Sequence, residues 1–434
     1  MILNDYRPTI YLVCLIFITI SCNGIKLQTQ DSPNTHKDLN IYEYKVWMKE
    51  YFQNLLWLEH EFDKKLTREI LLKSFKLGNK YIINNQKPEG NFNYEYDFVN
   101  NEVTGTDNQV RQAGAVWVLA LMYTYDRNDE TKKALDKALG FFINNTITGS
   151  KQGNLVISYP RDDISNTNTI AIVSLALIDY LTLEKKGIIK LNSEYKQKLN
   201  KYLNGYINHL KSIRLDNKHF SSHYDLKSRT HVTKFDPYSD GETLLAFIKA
   251  AKYLGHAELI PIIEESAIVM AKHYTYYQWV NDYDSPKTKG FFQWSCMAFW
   301  EYQDAEWKDS EFYRQYILSL AWWMINVHKT LYRTANTAYV YEGIIPALLI
   351  ARDEKMKNVI SDLEYTIDRA LYKLTTWQVG GPLQSENLFL LNNPTKNDKA
   401  IGGVMNYKNR PVLRIDVTQH QMHAVIWALK YVYN

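Results

Sequence analysis

The chain has 434 residues, 46% of them hydrophobic and 23% charged. That balance is ordinary for a folded protein and excludes a disordered or collagen-like chain. A net charge of +4, with no Lys/Arg-rich run, offers nucleic acid little to hold, so no nucleic-acid partner is expected.

The first element in chain order is a targeting segment. Arg7 precedes the apolar run "IYLVCLIFITI" (10–20), which is followed by Ser21 and Cys22. The run is too short to span a bilayer and matches a signal h-region. "TISC" resembles a bacterial lipoprotein cleavage box, which implies a lipid on Cys22; plain secretion or an uncleaved anchor is the alternative. Residues 23–40 are polar and aperiodic, as in a flexible tether. The expected organisation is a signal peptide at 1–22, a tether at 23–40 and one folded domain at 41–434, held at the bacterial envelope, on the outer membrane. The only cysteines are Cys14, Cys22 and Cys296. If the first leaves with the signal and the second carries lipid, no internal disulfide can form. No CxxC metal site exists either.

From residue 41 onward two kinds of helix alternate. "DETKKALDKALGFFINN" (129–145) is amphipathic, with Lys132, Lys133, Asp136 and Lys137 on one side and Leu135, Leu139 and Phe142 on another. "AGAVWVLALMY" (113–123) has no charge on any face and must be buried all round. Amphipathic segments begin near 67, 129, 193, 258, 310 and 356. Buried segments begin near 107, 166, 238, 290, 336 and 416. Six hairpins predict an all-α double ring with the buried helices inside, because no hairpin buries its apolar face alone. An open helical solenoid is the competing architecture.

This pattern resembles the (α/α)6-toroid, six-hairpin glycosidase-like superfamily over roughly residues 45–434. "GTDNQVRQAGAVWVLAL" (105–121), "YSDGETLLAF" (238–247) and "RIDVTQHQMHAVIWAL" (414–429) look like signatures of one family within it. The resemblance implies a toroid of six helical hairpins, with short β-hairpins or long loops at its rim and a funnel-shaped site. It leaves the reaction open among hydrolases, lyases and epimerases. The poly- or oligosaccharide partner, with a uronate-containing glycan among the alternatives, rests on that resemblance, and a monomer is expected.

Polar residues gather where each inner helix begins: Asp107, Asn108 and Arg111; Asn166 and Asn168; Tyr238, Asp240 and Glu242; Gln293 and Trp294; Asn336, Tyr339, Tyr341 and Glu342; Asp416, Gln419, His420 and His423. In a ring, six such clusters converge on one cavity. The catalytic candidates are Glu242, Asp107, Glu342, Asp416 and Asp240. Glu242 heads them as acid or base, with a partner from another hairpin, since helix residues two apart face different ways. Helix capping is the competing role for several: Ser239 with Glu242 matches the S-x-x-E box, Asp416 with Gln419 its D-x-x-Q analogue, and Asp107 can cap the first inner helix. The substrate-binding candidates are Arg111, Gln112, Asn108, Tyr238, Trp294, Tyr341 and His420. Arg111 suits either an ion pair with an inner-helix carboxylate or a fork for a substrate carboxylate. Trp279 and Tyr283, with Trp294, are candidates for a sugar-stacking platform. No HExxH is present, and neither a metal nor a cofactor is expected. Two long segments, 379–413 and 219–238, are expected to be binding loops or lids.

Taken together, the reading is an envelope-tethered glycan-active enzyme, a carboxylate-dependent glycoside hydrolase first. A polysaccharide lyase or epimerase of the same fold is the alternative, as is a non-catalytic glycan-binding lipoprotein.

Overall fold

A computed structural model describes residues 40–53 and 65–434, with side chains for 40–49 and 65–434. The targeting segment, Cys22 and nearly all of the tether lie outside these residues. Six helices form the inner layer: α3 (Gln109–Tyr125), α5 (Thr167–Lys185), α7 (Pro237–Lys249), α10 (Pro286–Asp304), α12 (Ala338–Asp353) and α15 (Ile415–Tyr431). Each packs against the next, and α15 packs back against α3, so the ring closes. These are the segments that read as apolar all round; Ala113 to Ala120 of α3 are all buried. Helix α5 is long and apolar enough to cross a membrane, but its residues are buried inside the ring.

The outer layer comprises α2 (Arg68–Asn84), α4 (Asp129–Asn144), α6 (Ser193–Ser212), α8 (Ile260–Tyr274), α11 (Ser310–Asn326) and α13 (Lys357–Thr375). Each outer helix packs on the inner helix that precedes it in the chain. Helix α2 has no predecessor in the ring and packs on α15, the last inner helix. Arg68 fixes that junction by donating from Nη1 to the carbonyls of Leu429 and Tyr433, both at 2.9 Å. A cation at the C-terminal end of α15 also suits the helix dipole. The molecule is thus the (α/α)6 toroid of the sequence reading.

Three smaller helices were not foreseen: α1 (Ile41–Gln53), α9 (Tyr276–Asn281) and α14 (Leu388–Asn392). Helix α1 packs against α11, and its Tyr44 hydroxyl hydrogen-bonds that of Thr275, between α8 and α9, at 2.7 Å.

Among the described residues, strands occur only in connections that lead from an outer helix to the next inner one. β1 (Glu95–Asp97) lies between β2 (Glu102–Val103) and β8 (Val412–Arg414); β3 (Thr146–Thr148) pairs with β4 (Leu155–Ile157). β6 (His223–Asp225) lies between β5 (Ile164–Asn166) and β7 (Thr230–His231). All pairs are antiparallel. They therefore build the rim at the end where the inner helices start.

Close packing of the inner ring uses glycine at two seams. A Cβ on Gly114 of α3 would stand 2.4 Å from Gln419 Oε1 of α15, and one on Gly241 of α7 would stand 2.5 Å from Trp294 Cβ of α10. At Gly241 the atom met is a Cβ fixed to the backbone, so no side chain is admitted there.

Candidate active site

All six inner helices contribute from their N-terminal halves to one cavity of ≈ 200 Å³ at the rim end. Its functional side chains are Arg111, Tyr238, Glu242, Lys289, Gln293, Trp294, Asn336, Tyr339, Asn406, Arg414, Asp416, Gln419 and His420. The convergence follows from the ring, because six helices that start at the same end aim their first turns at one axis.

Glu242 is placed by α7. The cap of that helix is Asp236, whose side chain accepts from the backbone N–H groups of Tyr238 and Ser239 at 2.9 and 3.0 Å. Pro237 follows at the first helical position, where its missing N–H costs nothing. The expected box on Ser239 and Glu242 does not form. The helix begins one residue after Asp236, so Glu242 lies in the second turn, beyond reach of the cap, and faces the cavity. It is 2% exposed, and its Oε2 is buried with no protein partner among the described residues. Burial pushes its carboxyl well above the usual range; the amide of Asn168 and the charge of Arg111 oppose this, while Asp236 adds to it. Burial thus favours the uncharged carboxyl of Glu242 over the carboxylate, the direction a proton donor requires.

His420 lines the same cavity from α15. Its Nδ1 lies 2.8 Å from Oε1 of Glu342 on α12, and Gln293 Nε2 donates to Oε2 of the same carboxylate at 2.6 Å. His423 Nδ1 stands 3.0 Å from that Oε2. Glu342 is fully buried. Burial alone would raise its pKa, but His423 and His420 together outweigh burial and hold the carboxyl down at about 2. An ionised carboxylate only accepts, so it takes the Nδ1–H of His420 and leaves Nε2 as the basic nitrogen. This is the geometry of a general base oriented by a carboxylate.

Asp416 is the other carboxyl of the lining. It does not cap α15, whose cap position is Arg414 with no side-chain cap bond. Instead Arg414 grips it with Nε to Oδ1 at 3.0 Å and Nη2 to Oδ2 at 2.5 Å, and Arg111 Nε approaches Oδ2 at 3.4 Å. Burial would raise its pKa, but the two guanidiniums hold it below the usual carboxylate range. The ion-pair role weighed for Arg111 is thus present.

Other sequence candidates are held elsewhere. Asp107 is exposed and does not line the cavity; it accepts from Gln112 Nε2 at 2.7 Å and from the Tyr159 hydroxyl at 2.8 Å. The cap of α3 is Asn108, which accepts from the backbone of Val110 and Arg111, both at 3.1 Å. Gln112 also ties Phe92 through both of its backbone groups. Asp240 points away from the cavity and is fully buried. It accepts from His219 Nδ1 at 2.5 Å, the Phe220 N–H at 2.8 Å and the Tyr274 hydroxyl at 2.6 Å, so it welds α7 to α8 and the preceding loop. Tyr341 is buried outside the lining. Trp279 is buried against Trp323, and neither it nor Tyr283 joins Trp294 at the cavity. Trp294 does line it and stacks on Trp117 at 5.7 Å between ring centres; the edge of His423 meets Trp117 at 4.9 Å. Beneath them Trp117 Nε1 donates to Asp179 at 2.8 Å, and Asp179 pairs with Lys249.

Lys289, Arg414 and Asn406 are lining residues that the sequence reading did not single out. Arg414 carried a signal, an arginine two residues before Asp416 at a helix start. Asn406 reaches the cavity from the long segment 379–413. Among the described residues no group of three or more His, Cys, Asp or Glu side chains is arranged to hold a metal ion.

No family model and no curated protein matches the sequence. Solved structures do match the fold. A cellobiose 2-epimerase from Bacillus thermoamylovorans has a TM-score of 0.57 at 10% identity, covering 84% of this chain and 98% of the other. A D-mannose isomerase has a TM-score of 0.56 at 11% identity, covering 83% and 97%. An α-1,6-mannanase of Salegentibacter, in complex with α-1,6-mannotriose, has a TM-score of 0.53 at 10% identity, covering 84% and 99%. At these identities the likeness is one of fold.

Proposed function

We propose that the protein is a sugar-active enzyme that moves protons between a carbohydrate, Glu242 and His420, as an epimerase or isomerase does. The observation that carries this reading is the pairing in one cavity of a buried carboxyl, pushed toward its protonated form, with an imidazole oriented by a buried carboxylate. With an open-chain aldose, His420 Nε2 removes the proton from the carbon next to the carbonyl while Glu242 protonates the carbonyl oxygen, giving an enediol. Return of a proton to the opposite face of that carbon, with Glu242 taking its proton back from the oxygen, gives the epimer; return to the old carbonyl carbon, with Glu242 taking the proton of the neighbouring hydroxyl, gives the ketose. The solved neighbours that are named as an isomerase and an epimerase agree with this chemistry.

Hydrolysis is the second reading, favoured by the ionised Asp416 in the same lining as the protonated Glu242. Against it, both oxygens of Asp416 are already held by Arg414, which weakens it as a base or nucleophile. Glu342, in turn, lies behind His420.

The test is incubation with aldoses and reducing disaccharides in D2O, read by proton NMR for exchange at the carbon beside the carbonyl, with reducing ends counted in parallel. Exchange that Glu242→Gln and His420→Asn each lower by about 100-fold or more supports proton transfer. New reducing ends without exchange move the assignment to a hydrolase. Sugar binding with neither signal would leave a glycan-binding protein. We further propose, on the sequence of residues 7–22 alone, that the protein is held to the outer membrane by a lipid on Cys22. Cys22→Ala is then expected to release it into the soluble fraction.

A further inference from the structure

The cations of the cavity outnumber the anions that could balance them. Arg111, Lys289 and Arg414 line it, against the carboxyls of Glu242 and Asp416. Burial favours the uncharged form of the Glu242 carboxyl. Asp416 is satisfied by Arg414, and Arg111 meets it at 3.4 Å through Nε. Lys289 is different. It stands in the first turns of α10, half-buried, and among the described residues no carboxylate lies within ion-pair distance of it. Its Nζ lies 5.7 Å from the centre of the Tyr339 ring, another lining residue. Burial, with Arg333 nearby, pushes its ammonium below the usual lysine range, and the more distant charge of Asp284 offsets this only in part. A partly desolvated ammonium beside a polar cavity is stabilised by an anion from outside.

We propose that the cavity takes an acidic sugar, a hexuronate whose carboxylate is bound by Lys289. This rests on the reading that a sugar occupies the space between Glu242 and His420. The positive ends of the inner helices around the cavity add to the attraction.

Trp294 lines the cavity, so its fluorescence reports occupancy. The experiment titrates the purified full-length protein with D-glucuronate and D-galacturonate, then with D-glucose, D-galactose and D-glucose 6-phosphate. The expected result is binding of the uronates about tenfold or more tighter than their neutral counterparts, a margin that shrinks as salt rises. Lys289→Met is expected to abolish the margin while neutral sugars bind within about twofold of the wild type, and Lys289→Arg to keep most of it. Equal affinities, an unchanged margin in Lys289→Met, or no response to uronates would overturn the proposal. Tighter binding of the sugar phosphate would overturn the carboxylate assignment. His420→Asn is run beside these variants. If it keeps the uronate margin and still turns substrate over, the proton-transfer reading fails while the Lys289 assignment stands.

Discussion

At the scale of single residues, the site holds two glutamates pushed in opposite directions. Glu242 is raised by burial, so its folded pKa exceeds its unfolded one. Its contribution to stability is full below the usual glutamate range and is lost as pH rises through the raised value. Glu242→Gln is therefore expected to abolish turnover yet gain stability relative to the wild type on going from pH 5 to pH 9, as read from urea midpoints. A wild-type midpoint that falls no faster than the variant's would contradict the assignment of a neutral acid. Glu342 behaves in the opposite sense. Held at about 2 against an ordinary value of 4.5, it contributes stability above about pH 4.5, and this is lost as pH falls toward 2. Glu342→Gln is expected to cost about 1–3 kcal/mol at pH 7, because an imidazole N–H loses its charged acceptor. The gap to wild type should narrow as pH falls from about 4.5 toward 2. Both glutamates are visible in the sequence as polar residues in apolar helices. Their charge states are not, because each depends on side chains at least 70 residues away, such as Asn168 for Glu242 and His420 for Glu342.

At the scale of elements, the inner helices work because their starts are pinned and their faces are close. Asp236 pins α7, and Asp236→Ala is expected to lower stability by about 1 kcal/mol in urea unfolding. Gly241 lets α7 meet Trp294, and Gly241→Ala is expected to cost about 1–3 kcal/mol by overpacking and to disturb the cavity wall with it. Helix positions were legible from periodicity: buried segments expected near 166, 238 and 416 begin at Thr167, Pro237 and Ile415. Caps were less legible. Ser239 and Asp416 have the right chemistry for a cap, but Asp236 with Pro237 starts α7 earlier, and Arg414 captures Asp416 first. Local sequence offers several acceptors, and only the chain's entry angle selects among them.

At the scale of the whole molecule, the ring is closed by its chain ends rather than by a covalent link. Helix α2 lies on α15, and Arg68 bonds the last carbonyls of α15. Arg68→Ala is expected to cost about 1–3 kcal/mol, and a chain ended at residue 414 to lose its cooperative thermal transition, since the apolar faces of α3 and α12 would then be left open. The sequence by itself determined the two helix classes, their alternation and hence the double ring. An all-apolar helix has no stable place except between other helices, and six of them with six amphipathic partners leave few arrangements. It also determined that polar residues collect at the inner-helix starts. Only the tertiary structure decided which of those residues share the cavity. Asp107 and Asp240 were drawn into braces, Lys289 and Arg414 were brought to the lining, and Glu342 was set behind His420. The reason is that a side chain's direction depends on helix rotation about its own axis, which the packing of the neighbouring helices fixes and local sequence does not.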